Sequence, residues 1–238
     1  MYRITEKMKI GSLDKITIDY APGAKGNRIV VILLCPGKSE RESRHPAAGI
    51  TGSHLQTLME MIVKRLETNY LQLKETYDGD FKYDKYSAKN GVMVTNVFKD
   101  WYGKGSENGT KPPNRPRCED VERLKTQIFE SKKKLILCFG SVASECWEMV
   151  TKCSHVAEDV IAVKCCHIGN KGLNKCIDVD EYGKIIVSGG GNRRQQKENT
   201  SKRLAVLANY ILSFISGEIE VPLGCYLNIL KGKCKGTN

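Results

Sequence analysis

The sequence predicts an α/β fold: a three-layer α/β/α sandwich around a mostly parallel four-stranded sheet. Three observations predict it. Continuous apolar runs rich in β-branched residues read as strands buried on both faces. Stretches with helical periodicity alternate with these runs, the order that builds βαβ units. The 238 residues, 40% hydrophobic and 27% charged, suffice for one sizeable core.

The first strand is "NRIVVILLC", Asn27 to Cys35. After a polar loop, Leu55, Leu58, Met59, Ile62 and Leu66 recur at spacings of three and four, the mark of an amphipathic helix, with Ser53 as its expected cap. The polar, turn-rich "TYDGDFKYDKYSAKNG" separates this helix from the second strand, "VMVTNVF", Val92 to Phe98. "GKGSENGTKPPNRPR" is too long and too rich in Gly, Pro and Asn for a mere connector. "EDVERLKTQIFES" reads as a helix with acids in its first turn, where the helix dipole favours them. "KLILCFG" is the third strand, running straight into the helix "SVASECWEMV", and "DVIAVKCCH" is the fourth. "IGNKGLNKC" reads as a loop, "KIIVSGGG" as a short strand and "NRRQQKENTSKR" as a basic polar stretch. The closing helix "RLAVLANYILSFI" places Leu204, Leu207, Ala208, Ile211 and Ile215 on one face. One domain is expected over 1–238, with its core at about 28–216 and a C-terminal tail at 217–238.

Net charge is +11, which favours a polyanionic partner, nucleic acid first. Ten cysteines include no C-x2-C pair, and Cys138, Cys146 and Cys166 sit among apolar residues, where a free thiol behaves as a small hydrophobe. With no secretory leader pattern at the start, this usage predicts a reducing, cytoplasmic setting. No apolar run approaches the roughly 20 residues that span a bilayer, so no membrane partner is expected. No metal or other cofactor is expected.

Four strand ends run into unusual loops, "PGKSE", "NVFKDWYGKG", "GSVAS" and "HIGNKGLN". Ligands of such sheets bind at the carboxyl ends of the strands. The "PGKS" segment suggests a phosphate loop, but that motif needs a glycine five residues before Gly37, where Ile32 stands. Pro36 also removes an N–H that phosphates would use. A nucleotide cofactor is therefore not expected.

The longer pattern "PGKSERESRHPAAGITG" resembles the first motif of the uracil-DNA glycosylase superfamily, most closely its iron–sulfur branch, through Pro36, Gly37, Glu40, Pro46, Gly49, Gly52 and Leu55. "VMVTNVFKDW…KPPNRPR" is similar to that branch's second motif through Thr95, Asn96, Val97, Pro113, Asn114, Arg115 and Pro116. "KKLILCFGSVA" matches it at Gly140 and Ala143, and "CCHIGNKGLN" stands where the family has its histidine motif. Together these cover roughly residues 28–215.

The resemblance implies a monofunctional DNA glycosylase, a monomer that extrudes a base into a pocket and excises it, leaving an abasic site. It implies DNA as partner and either repair or defence against phages with modified DNA as its setting. A pocket of Cys35, Pro36, Gly37, Ala47, Gly49, Asn96 and Phe98 follows. An Asn amide both donates and accepts, so Asn96 can read a pyrimidine edge. His167 would donate to negative charge developing on the base, and Glu40 joins these two as a catalytic candidate. Lys38, Ser39, Arg115, Ser141, Gly169, Asn170, Lys171, Arg193 and Arg194 would meet DNA. Leu173 reads either as an apolar wedge into the vacated stack or as a buried loop anchor.

Four departures from the family qualify this. The cluster cysteines are missing, so no iron–sulfur cluster is expected. Leu34 and Cys35 occupy the positions of the family's water-activating group, and neither works as a carboxylate would, which leaves activity to His167 and leaving-group stabilisation or to another carboxylate such as Glu40, Glu42 or Asp100. Ala47 replaces the aromatic that stacks on uracil, which suggests either compensation by Trp101 or Tyr102, or a pocket for a bulkier modified pyrimidine. "IGN" follows His167 in place of proline and serine. A catalytically inactive binding module for DNA or a modified base is the alternative.

Overall fold

The computed structural model describes residues 16–77, 79–84, 91–130, 133–154, 156, 159–187 and 192–217. Residues 189–191, the expected glycine triplet, and 218–238 of the expected tail lie outside these. One mixed sheet holds β1 (Tyr20–Ala21), β2 (Ile29–Leu33), β3 (Met93–Asn96), β4 (Leu135–Phe139) and β5 (Ile161–Cys165). Their order is β1-β3-β2-β4-β5. β2 to β5 are mutually parallel, whereas β1 lies antiparallel on the outer edge of β3, with Tyr20 opposite Thr95. The sheet thus has five strands where four were expected. A two-residue strand is too short for any periodicity to announce it.

Seven helices occur among the described residues: α1 (Lys38–Ser43), α2 (Ile50–Thr68), α3 (Leu71–Tyr77), α4 (Cys118–Glu130), α5 (Ser141–Lys152), α6 (Asn170–Cys176) and α7 (Arg193–Ser216). Side chains alternate between the faces of a strand, and the core divides accordingly. Ile29, Val31 and Leu33 of β2 join Leu135 and Leu137 of β4 in packing against Leu55, Leu58 and Ile62 of α2 and Leu207 and Ile211 of α7. Val30, Ile32, Ile136 and Cys138 point the other way, onto Val121 and Leu124 of α4 and Cys146 and Trp147 of α5. The sheet therefore lies between two helical layers. Each fully buried Leu or Ile contributes about 1.5–3 kcal/mol relative to an exposed one.

Three local expectations need correction. "IGNKGLNKC" is mostly helical, forming α6 behind an N-terminal Gly169. The basic stretch before the last helix is itself helix, because Asn192 accepts a hydrogen bond from the Gln195 N–H and caps α7 ten residues earlier than the apolar pattern suggests. Ser53 lies inside α2, whose N-cap is Gly49. In addition, "KIIVSGGG" contributes only the bridge between Ile185 and Val179 among the described residues.

The amino ends of the strands are closed by a polar plug. Asn27 donates to the Asp80 carbonyl at 2.7 Å, Arg28 Nε donates to Asp80 Oδ2 at 3.0 Å, and buried Lys133 Nζ donates to the Asn27 carbonyl. Burial pulls the Lys133 ammonium down to about 8, against the weaker opposing field of Asp80. In the unfolded chain the group titrates near 10.5. The folded state thus binds fewer protons between these limits, so this group's contribution rises with pH from about 8, is complete above about 10.5, and is lost as pH falls back. Wild type is expected to gain up to about 3 kcal/mol of unfolding free energy on Lys133→Met across that window. Parallel denaturant-derived stability curves for the two proteins would exclude it.

Candidate functional site

From β2 the chain crosses to β3 on one side and from β3 back to β4 on the other side of β2, so the sheet reverses its winding direction beside β2. Crevices at such points hold ligands in open α/β sheets. Four of the segments expected to form the site converge there: Cys35 to Gly37 after β2, Asn96 to Phe98 at the end of β3, Gly140 and Ser141 after β4, and His167 after β5.

After β2, Gly37 opens α1, and its N–H donates to Glu40 Oε2 at 3.0 Å. Glu40 is thereby folded back and buried. Gly37 leaves room for it, since a Cβ there would stand 2.7 Å from Glu40 Oε2, while Gly49 packs closely on Ser39, 3.0 Å from its Oγ. Cys35 is half-buried, and burial first, then the field of Glu40, pushes its thiol up to about 11. It stays protonated at neutral pH and is no nucleophile.

Ala47 is fully buried, at the left-handed φ of 52°. That backbone costs an alanine about 1 kcal/mol. The Tyr83 hydroxyl donates to the Ala47 carbonyl at 2.9 Å and helps hold it there. Burial, then Glu40, holds the Tyr83 phenol well above its usual range. The aromatic beside Ala47 is therefore Tyr83. Trp101 carries the Arg41 guanidinium 4.9 Å from its ring centre, and Tyr102 packs edge-on against Phe98 at 6.1 Å. Phe98 itself is buried in the layer beneath α4 and α5.

Asn96 ends β3 fully buried. Its backbone N–H and its Nδ2 both donate to the Asp19 carbonyl, at 2.9 and 3.3 Å. Its carbonyl accepts from Arg123, which also reaches the Val97 carbonyl and pairs with Asp19 at 3.3 Å. Asn96 Oδ1 is buried and accepts no hydrogen bond among the described residues. Buried acceptors are rarely left so, which marks Asn96 as the residue at this strand end whose side chain is not accounted for by the fold.

At β5 the glycines decide the geometry. Gly140, at φ 103°, turns the chain so closely that a Cβ would lie 3.7 Å from His167. The Gly169 N–H donates to His167 Nδ1 at 3.0 Å. A nitrogen that accepts cannot carry a proton, so this bond selects the neutral ring with its hydrogen on Nε2. His167 is exposed at the strand end, yet the protein behind the ring desolvates it and lowers its pKa.

The outer contacts are less uniform. Lys38, Ser39, Asn170 and Lys171 are exposed, as is Ser141 at the start of α5. Arg115 is also exposed and reaches Glu145 of α5 at 3.9 Å. Arg193 and Arg194 stand on the exposed first turn of α7. Leu173 is fully buried in the core, so it cannot act as a wedge and is the anchor of α6. Sequence reasoning missed Tyr83, Asp19, Arg123 and His54. His54, half-buried on the second turn of α2, reaches the Ile168 carbonyl through Nδ1 at 2.8 Å. None is a matched position of a motif, and these partners lie 26 to 114 residues away.

Eight free cysteines occur among the described residues, five of them buried. Burial pushes Cys146 up to about 12 and Cys138 higher still. No helix of the described residues is long and apolar enough to cross a membrane, and no group of His, Cys, Asp or Glu among them could hold a metal ion. No family model matches the chain, and no curated protein matches it.

Proposed function

We propose that this protein is a monofunctional DNA glycosylase with the fold plan of the uracil-DNA glycosylase superfamily. The observation that carries the reading is the pair of groups at the sheet's carboxyl end: His167, with a hydrogen-bond donor at Nε2, and Asn96, with an unsatisfied acceptor. Their strands are three spacings apart, about 14 Å, with the ends of β2 and β4 between them. Asn96 Oδ1 accepts an N–H from the base edge. As the N-glycosidic bond breaks, the bonding electrons pass to the base, and the His167 Nε2–H stabilises the resulting oxyanion. The neutral imidazole keeps this donor while its Nδ1 accepts from Gly169, so the ring is held in place by the same tautomer that serves the base.

Water then adds to the sugar. Leu34 and Cys35 cannot activate it, since one is apolar and the other holds its proton. Glu40 is the carboxylate beside Cys35, with one oxygen held by Gly37 and the other facing the Gly49 side. Exposed Lys38, Arg41 and Arg115 supply phosphate contacts on the rim. The buried thiols suit a reducing, cytoplasmic setting, and the protein acts as a monomer.

The test is a substrate panel. DNAs carrying uracil, hypoxanthine or glycosylated hydroxymethylcytosine are incubated with the protein, then cleaved with alkali at abasic sites. Strand cleavage at one of the modified positions is expected. Intact DNA in every case, with binding retained, replaces the enzyme by the second reading, a modified-base sensor. The protonated Cys35 at the water-activating position is what favours that alternative.

A further inference from the structure

We infer that His54 is a positioning residue for His167, acting through the single peptide unit that lies between the two rings. The inference rests on the glycosylase reading for its catalytic meaning, but its geometry stands alone. The His54 contact is to the carbonyl oxygen of Ile168, at 2.8 Å. A carbonyl only accepts, so His54 carries its proton on Nδ1. The His167 contact is from the N–H of Gly169, at 3.0 Å. Ile168 C=O and Gly169 N–H are the two polar ends of one planar amide. His54 therefore pushes on one end of the unit that fixes His167 at the other.

Two effects follow. An amide whose oxygen accepts a hydrogen bond becomes a stronger donor at nitrogen, by about 10–30% per bond. The bond also fixes the plane of the peptide, already held by the buried Ile168 side chain. Both favour an unprotonated His167 Nδ1. Gly140, Gly169 and Gly172 lie against His167 and carry no side-chain charge. Desolvation is the cause of its lowered pKa, with no charged neighbour contributing, and His54 reaches the adjoining peptide through Nδ1. Nothing in the first motif requires a histidine at 54, which follows Ser53 in the middle of "ITGSHLQTL".

The experiment is 15N NMR of the imidazoles in the full chain. In the wild type His54 is expected as the Nδ1–H tautomer and His167 as the Nε2–H tautomer. Either ring in the opposite tautomer overturns the proposal, whatever the variants do. In His54→Leu, His167 is expected to populate both tautomers and to titrate closer to about 6.5, the ordinary imidazole value. His54→Asn, whose Nδ2 can stand where the imidazole Nδ1 stood, is expected to restore the wild-type signature. A folded His54→Leu with an unchanged His167 tautomer and titration also overturns it. These readings need no substrate, so an inactive protein would refute the glycosylase reading and leave this one to be judged separately. Where excision is found, His54→Leu should lower kcat with KM unchanged.

Discussion

His167→Ala is expected to reduce single-turnover base excision by about 100- to 1,000-fold, the loss that follows removal of one well-placed donor to a developing anion. DNA affinity should change little, because the interaction strengthens only as charge builds on the departing base. The fold should persist, since the side chain is exposed and packs against glycines. The pH profile adds a signature. His167 must be neutral to accept from Gly169 through Nδ1, and its pKa is lowered by burial. Excision should therefore hold its rate as pH falls through about 6.5, the ordinary imidazole value, and decline only further into acid. An unaltered rate in His167→Ala, measured on whichever base the panel identifies, would remove this residue from the chemistry.

Gly172→Ala is expected to destabilise the protein by about 1–3 kcal/mol, the range for forcing atoms into a packed site. The sign is the informative part. Position 172 lies inside α6, where exchanging glycine for alanine normally gains about 1 kcal/mol. Here the added Cβ would stand 2.1 Å from the His167 carbonyl oxygen and 2.7 Å from its Cβ. Overlap that severe with backbone outweighs the propensity. Relief requires moving either α6 or His167, so the variant should lose excision as well as stability. Thermal denaturation reads the first effect, and a midpoint at or above that of wild type would contradict it.

Much of the framework was legible. Uninterrupted β-branched runs read as strands, and all four became β2 to β5, although β5 takes an edge of the sheet. The closing helix and α2 declared their buried faces through spacing. What escaped notice had a common physical origin. β1 is two residues long and owes its place to pairing with β3. α6 has one glycine at its N-cap and another in its first turn, an ordinary sign of a loop, and the approach of His167 explains both. The first half of α7 is polar on all sides, so no periodicity marks it.

The site was legible to the same extent. Asn96, Glu40 and His167 were visible as polar residues at or near strand ends. Tyr83 and His54 were not, because each acts through a carbonyl far away in the chain. The buried position of Leu173 depends on α6 being a helix, which the sequence disguised.

One link bears on how the protein could be shortened. The motif-bearing span begins near residue 28, and a boundary chosen from it would look safe. Yet the Asp19 carbonyl receives both Asn96 donors, and the Asp19 carboxylate holds Arg123 against the carbonyls of Asn96 and Val97. A chain trimmed to that span would keep every recognisable motif and lose the clasp that holds the Asn96 amide in place. The segment around residue 19 is thus part of what fixes the carboxyl end of β3, although nothing in its own composition says so.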